Sequence, residues 1–193
     1  MRRAILKTLL LASAAACVLS ACAVGGNKAA APVVFDLGPL SSSATQVLPD
    51  LQLSEMIAPP WLATSGMAYR LVYQNEFQAQ FYRDSRWAAP PAALLTERLR
   101  QKLALGARSG ASKPLPLRLE LVEFEQRFNS TTQSEVRVSL RARLGEGPGA
   151  VQTFELVKPS RSADAAGAVR AFSEASDEVL NQLLAWVALN AKS

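Results

Sequence analysis

Strands with one buried face are predicted wherever apolar and polar residues alternate along the chain. The segment 67–74 (MAYRLVYQ) alternates with a period of two residues, and the segment 134–144 (SEVRVSLRARL) does the same. Successive side chains of a strand point to opposite faces, so this period places one face on a core and leaves the other polar. Five further segments are predicted as strands from their apolar content and the turn residues beside them. They are 33–40, 51–58, 77–83, 116–128 and 151–158.

Short turns are predicted between several of these strands. Asn75-Glu76 predicts a tight turn, and therefore a hairpin whose second strand ends at Tyr82. Within 116–128 the apolar phase changes after Leu121, and one extra residue that shifts side chains to the other face indicates a β-bulge. The turns NSTTQ and GEGPG join the last three strands into an antiparallel meander. GEGPG lacks the lysine and hydroxyl residue of a phosphate-binding loop, so it is interpreted as a turn only.

Two helices are predicted from apolar residues that recur every three or four positions. The first follows Pro91, which suits the first helical turn because proline has no N–H to lose there. Its stripe is Leu95, Leu99 and Leu103, with Glu97, Arg100 and Lys102 off that face. The second covers about 165–190, with Glu174, Asp177 and Glu178 opposite its apolar stripe. The whole pattern predicts an α+β fold: a single domain with an antiparallel or mixed β-sheet and two main helices packed on it.

The N-terminus is predicted to be a lipoprotein signal peptide. Three basic residues precede an apolar run from Leu9 to Leu19, which is too short for the roughly 20 residues of a transmembrane helix. Leu19-Ser20-Ala21-Cys22 looks like a bacterial lipobox. Cleavage between Ala21 and Cys22 would leave Cys22 with a diacylglyceryl group on its sulfur and an acylated amino terminus. We therefore divide the chain into a signal peptide (1–21), a lipidated flexible tether (22–32) and a domain (33–193).

Charge and residue usage exclude several function classes. The chain has 21 Lys and Arg against 16 Asp and Glu, and residues 1–21 hold three of the basic residues and none of the acidic ones. Removing the signal lowers the net charge from +5 to +2 (18 minus 16), which disfavours nucleic-acid binding. The chain has no histidine, so Ser-His-Asp and Cys-His catalysis and histidine metal sites are excluded. Cys22 is the only cysteine of the mature chain, so no disulfide forms within it.

Clusters of charged and aromatic residues have structural explanations beside the functional ones. Paired carboxylates could act as general acid and base, but the glutamates on strand 116–128 would face arginines on strand 134–144. Cross-strand ion pairs are the favoured interpretation, with an arginine-lined anion surface as the alternative. These residues are Glu120, Glu123, Glu125, Arg137, Arg141 and Arg143. The aromatic residues of 69–82 are interpreted as core and interface, with base stacking as the alternative.

The segment YRDSRWAAPPAALLTERLR at 82–100 crowds arginines beside aromatic residues and a double proline. It is interpreted as a corner in which Trp87 fills the core and the prolines force an extended entry to the helix. Arg83 and Arg86 have two interpretations. Each either braces the corner through Asp84 or faces a binding partner.

The mature chain resembles the auxiliary lipoproteins of ABC-type transport systems, a family that includes the paraquat-inducible lipoprotein. The resemblance covers essentially the whole mature domain and is sharpest at residues 57–103. Its motifs are FDLGPL, Ala58-Pro59 with Trp61, Met67-x-Tyr69-Arg70-Leu71, and Tyr82-x-x-Ser85-Arg86-Trp87-x-x-Pro90-Pro91.

The resemblance implies a role without catalysis. Family members accompany MCE-domain proteins, through which an inner-membrane permease and ATPase move phospholipids or other hydrophobic compounds. The lipoprotein is expected on the periplasmic face of the outer membrane, consistent with Ala23 rather than aspartate after the lipidated cysteine. No metal or cofactor is expected beyond the acyl chains on Cys22, and homo-oligomerisation stays open. The alternative is a lipoprotein that regulates outer-membrane assembly or a cell-wall synthase. A lipid-modifying enzyme has little support.

Overall fold

A computed structural model describes residues 30–40, 47–107, 113–147 and 149–191. The predicted signal peptide, Ala21, Cys22 and most of the tether lie outside these residues. Within them the chain forms seven strands and two α-helices, with a short 3₁₀ turn at Pro60–Leu62. The strands are β1 (Val33–Phe35), β2 (Leu51–Leu53), β3 (Gly66–Leu71), β4 (Gln80–Trp87), β5 (Leu115–Phe128), β6 (Ser134–Leu144) and β7 (Ala150–Pro159). The helices are α1 (Pro91–Leu105) and α2 (Ala165–Asn190). None of the described helices combines the length and apolarity needed to cross a bilayer.

All seven strands belong to one mixed sheet in the order β1-β4-β3-β5-β6-β7, with β2 also pairing with β5. β5, β6 and β7 form the predicted antiparallel meander. The register of β5 on β6 shifts between Leu121 and Glu123, which confirms the bulge predicted from the change of apolar phase. Three other pairings are parallel: β1 with β4, β2 with β5 and β3 with β5. The α+β fold with two helices on a mixed sheet is therefore confirmed.

The core lies between the helices and one face of the sheet. Trp87 is buried, with its ring centroid 5.5 Å from that of Phe124 on β5 and 5.2 Å from that of Phe172 on α2. The rings of Phe124 and Phe172 stack on each other with centroids 4.5 Å apart. Trp87 thus fills the core at the corner between β4 and α1, as predicted.

The other face of the sheet carries charged side chains. Arg141 on β6 donates to Glu120 on β5 at 3.2 Å, and Arg137 donates to Glu155 on β7 at 3.2 Å. The Arg141–Glu120 contact confirms one of the predicted cross-strand ion pairs, whereas Arg137 binds a glutamate of β7 rather than one of β5. Glu125 differs because its buried carboxylate accepts from Arg70 on β3.

The connection between β3 and β4 corrects the prediction of a tight turn. β3 ends at Leu71 rather than at residue 74, and β4 begins at Gln80, so the eight residues 72–79 connect them. The carbonyl of Leu71 accepts from the backbone N–H groups of both Gln74 and Asn75, which curls the chain before Asn75-Glu76 is reached. β4 also continues past Tyr82 to Trp87, because β1 pairs with its last three residues.

Candidate docking site at the β1–β4 edge

Arg83 and Arg86 both point into solvent from β4. Arg86 is exposed although its backbone is paired on both sides, with Val34 of β1 and with Gly66 of β3. Arg83 is 91% exposed. The structure therefore places both predicted interface residues on the surface, where a partner can reach them.

Arg83 also makes the predicted contact with Asp84. Its Nε donates to Oδ1 at 3.0 Å and its Nη2 donates to Oδ2 at 3.1 Å. The hydrogen bond from Arg83 lowers the pKa of the Asp84 carboxyl, and the same bond raises the pKa of Arg83. Both charges persist at neutral pH, so this part of the edge offers a fixed pair of opposite charges.

β1 forms the outer edge of the sheet beside these charges. It pairs with β4 on one side and has no further strand beyond it in the described sheet. Val33 and Val34 are both about half exposed. A groove of about 620 Å³ separates β1 and the following turn from α2, with Val34, Phe35, Val169 and Ser173 among its lining residues. A strand edge has unpaired N–H and C=O groups that an added chain segment can satisfy.

The turn after β1 is built by its own sequence. Asp36 accepts the N–H of Gly38 on its side chain at 2.7 Å, and Gly38 has a φ of +64°, which glycine adopts without steric cost. The reversal turns three successive carbonyls toward α1. Arg98 donates to them at 3.1 Å for Leu37, 2.9 Å for Gly38 and 3.2 Å for Pro39.

Arg98 belongs to a buried charge cluster between the two helices. Its Nε and Nη2 donate to the two carboxylate oxygens of Asp177, each at 2.8 Å. Lys102, one turn further along α1, places its Nζ 3.1 Å from Asp177 and 3.0 Å from the Oδ1 of Asn181. Because 98 and 102 on α1 face 177 and 181 on α2, the two helices run in the same direction. The cluster ties both helices to the turn that borders the groove.

These buried charges correct the sequence-based helix faces. Lys102 was predicted to lie off the apolar face of α1 and Asp177 to lie on the polar face of α2, yet both are buried. Leu103, predicted in the stripe, is only partly buried. The buried face of α1 consists of residues 95, 98, 99 and 102, and these residues have the helical spacing i, i+3, i+4, i+7. Oppositely charged residues at the core positions of two helices are the sequence signal from which this cluster could have been predicted.

Tyr82, at the inner side of β4, is a structural hydrogen-bond donor. Its hydroxyl donates to the Oε1 of Gln126 at 2.8 Å. Burial raises the pKa of Tyr82, with a smaller contribution from Tyr69, so the phenol stays protonated at neutral pH. Among the described residues no group of acidic or sulfur ligands could hold a metal ion. The fold and this site define a single α+β domain with an accessible strand edge, a bordering groove and surface charges.

Comparison with known proteins then places the chain in a family. Residues 36–183 match the family model of the ABC-type transport auxiliary lipoprotein component. The chain belongs to this family. Its members are auxiliary components of ABC-type transport systems, and their lipoprotein nature places them at a membrane of the cell envelope.

Solved structures agree on the fold. Protein XCC0632 from Xanthomonas campestris has 20% sequence identity and a TM-score of 0.67, over 84% of this chain and 94% of that one. A second, uncharacterized protein has 15% identity and a TM-score of 0.60, over 81% of this chain and 99% of that one. No curated protein matches the sequence.

Proposed function

We propose that this protein is a non-catalytic accessory lipoprotein of an ABC-type system that moves phospholipids or other hydrophobic compounds. Acyl chains on Cys22 hold it on the periplasmic face of the outer membrane, and the domain docks an MCE-domain partner. The match of residues 36–183 to the transport auxiliary family carries the proposal. The proposed role needs no bound cofactor other than the acyl chains.

The β1–β4 edge is the part of the domain best suited to docking. Its backbone edge, the half-exposed Val33 and Val34 and the groove of about 620 Å³ can receive an extended segment of the partner. Main-chain hydrogen bonds would supply affinity in this mode, and side-chain pockets would supply specificity. Arg83 and Arg86 lie on the neighbouring strand, where charges govern the rate and orientation of association.

Site-specific photo-crosslinking tests the docking edge. A photo-reactive amino acid at Val34, on β1, is expected to form an adduct with the MCE-domain protein in cells. The matched control is Val157 on β7, the opposite edge of the described sheet, which is also about half exposed. An adduct from Val157 alone would contradict the assignment of the edge. Adducts from Val34 with a cell-wall synthase would favour the regulatory alternative, and adducts with a second copy would identify β1 as a homo-oligomer contact.

Membrane fractionation tests the anchor separately. Cys22→Ala is expected to abolish acylation, leaving the protein either uncleaved or released in soluble form. Mass spectrometry of the mature N-terminus and sedimentation of the outer membrane provide the two measurements. A Cys22→Ala protein that still carries acyl chains in the outer membrane would exclude Cys22 as the lipidated residue.

A further inference from the structure

The register of the sheet places three connections at the same end of the domain. β3 runs parallel to β5, with Leu71 paired to Phe128, so the connection 72–79 lies beside the β5–β6 turn 129–133. β7 finishes at this end as well, because Pro159 pairs with Glu135 at the start of β6. We call the end formed by 72–79, 129–133 and 160–164 the tether end.

The chain enters the domain from this end. β1 is parallel to β4, with Val33 paired to Ser85 and Phe35 to Trp87, so β1 begins on the side of this pairing that leads along β4 to Phe81 and the connection 72–79. Cys22 lies only 11 positions before Val33 in the sequence. Eleven residues reach at most about 40 Å when extended and about 20 Å as a flexible coil. A bilayer that holds Cys22 is therefore within reach of the tether end.

The tether end exposes an aromatic side chain at its tip. Phe77 in the connection 72–79 is 86% exposed, and Tyr73 and Phe81 on either side of it are each about half exposed. An isolated exposed apolar residue is ordinary on a protein surface. The ring of Phe81 lies against Gly66 of β3, so it has a neighbour within the sheet. Tyr73 and Phe77 share one connection, next to the point where the chain arrives from its predicted lipid anchor, and an external surface would explain their exposure.

The connection 72–79 is held in a defined conformation, although the side chain of Phe77 is largely exposed. The side chain of Asn75 accepts the N–H of Phe77 at 3.0 Å. Arg70 donates to the carbonyl of Glu76 at 3.2 Å while its Nε binds the buried Glu125 at 2.8 Å. Ordering a connection costs conformational entropy. In this connection the ordered backbone holds the apolar side chain of Phe77 in contact with water.

The charges around Phe77 favour insertion into a bilayer over attraction to anionic headgroups. The segments of the tether end carry the carboxylates Glu76 and Asp164 against one cation, Arg161, and the nearby Arg83 is paired with Asp84. The tip therefore has no excess of positive charge with which to attract an anionic lipid surface. A phenylalanine ring is wholly apolar and can bury into the boundary between headgroups and acyl chains, whereas the amphipathic ring of Tyr73 suits the level of the headgroups.

We propose that the connection 72–79 is a membrane-contact site, in which Phe77 inserts into the bilayer that holds the acyl chains of Cys22. The contact rests on the proposed lipid anchor, because it needs the tether to hold the domain near the surface. It turns the tether end toward the membrane and the opposite end, with the β6–β7 turn, away from it. The β1–β4 edge then stands upright on the membrane, accessible from the side.

Depth-dependent quenching in proteoliposomes tests this contact. Gln78→Cys, next to Phe77 and exposed, is labelled with a polarity-sensitive fluorophore in the full, acylated protein. Lipids carrying a quencher on the acyl chain are expected to quench this label, and Phe77→Asp is expected to abolish the quenching. Neither effect should depend on salt, because the contact is apolar. The matched control is Glu146→Cys, an exposed position in the β6–β7 turn at the opposite end, whose label should keep its fluorescence.

The outcomes separate failure of the contact from failure of the anchor. The membrane contact alone is overturned if the label at position 78 of the acylated protein is not quenched by the lipids. It is also overturned if the quenching is equally strong in the Phe77→Asp variant. Mass spectrometry that finds no acyl chain on the mature protein overturns the anchor and the contact together. A third outcome is a label that the lipid quenchers do not reach but that becomes protected from aqueous quenchers once an MCE-domain protein is added. That result would assign Phe77 to a protein partner and overturn the proposal.

Discussion

Two arginine–aspartate pairs of the molecule share one geometry and differ in their surroundings. In each pair the Nε and Nη2 of the arginine bind the two oxygens of the carboxylate. The Arg83–Asp84 side chains are 91% and 73% exposed, whereas those of Arg98–Asp177 are 4% and 5% exposed. The first pair belongs to neighbours on one strand, and the second joins two helices and the turn after β1.

The difference teaches which charges of this domain hold its structure and which are available to a partner. Water screens an exposed pair, so its two charges attract each other weakly and can exchange partners readily. A buried pair has lost its hydration, so removing one member strands the other in the interior. The Arg70–Glu125 pair stands between these cases, with side chains 20% and 2% exposed. The three pairs form a graded series for testing this distinction.

Arg98→Ala is expected to have the largest effect on stability. It leaves Asp177 with Lys102 but without its bidentate partner, and it removes the arginine donor from the carbonyls of 37–39, of which Leu37 keeps the hydroxyl of Ser173. Breaking a buried pair by removing one partner costs about 3–5 kcal/mol. Urea denaturation followed by circular dichroism measures this loss in the free energy of unfolding.

The control for this substitution lies on the same helix. Arg100 is half exposed and binds Glu55 at the surface, so Arg100→Ala should cost about 1 kcal/mol or less. Equal losses for Arg98→Ala and Arg100→Ala would show that burial does not separate these arginines. The separation between structural and available charges would then be wrong.

The sequence predicted the sheet better than it predicted the buried charge cluster of Arg98, Lys102 and Asp177. Alternation of period two located β6, and apolar content with the flanking turns located β5 and β7 to within one residue at each end. The phase change after Leu121 predicted the bulge, because a sheet with one buried face must show its register in its residue pattern. Helix periodicity likewise predicted α2. In these elements apolar burial decides which way most side chains point, although Glu125 on β5 and Asp177 on α2 are buried as well.

Burial of paired charges could not be predicted in the same way. Lys102 and Asp177 were assigned to solvent because a charged residue is seldom buried without a partner, and their partners lie 75 or more positions away in sequence. Arg83 and Arg86 were selected from their sequence context, but an amino-acid sequence alone shows neither the exposure of a side chain nor the presence of a groove. Long-range pairing and surface shape are properties of the assembled fold.

Glu125→Gln tests the intermediate pair through the pH dependence of stability. Burial raises the pKa of Glu125 above its ordinary value of 4.5, with Arg70 opposing that shift. The folded protein therefore holds this proton more tightly than the unfolded chain does. The contribution of Glu125 to stability is greatest below pH 4.5 and declines as pH rises through the folded-state pKa. The wild type minus Glu125→Gln difference in unfolding free energy should fall with rising pH over that window.

The exposed pair should give the opposite slope. The pKa of Asp84 lies below its ordinary value of 3.8, so its contribution is present above pH 3.8 and is lost as pH falls through the folded-state pKa. The wild type minus Asp84→Asn difference should therefore rise with pH. Slopes of the same sign for Glu125→Gln and Asp84→Asn would mean that burial does not dominate at Glu125.

Arg83→Ala is expected to have the smallest effect on folding, and its effect should appear in binding instead. Its guanidinium is solvated and donates hydrogen bonds to its neighbour Asp84, so the unfolding midpoint should match that of the wild type. Association with the proposed MCE-domain partner should become slower and less dependent on salt, because surface charges act mainly on encounter. Stopped-flow or surface-based kinetics at two ionic strengths separate the association rate from the dissociation rate. A lowered unfolding midpoint would make Arg83 a brace of the corner, and unchanged kinetics with an unchanged midpoint would place the partner elsewhere on the domain.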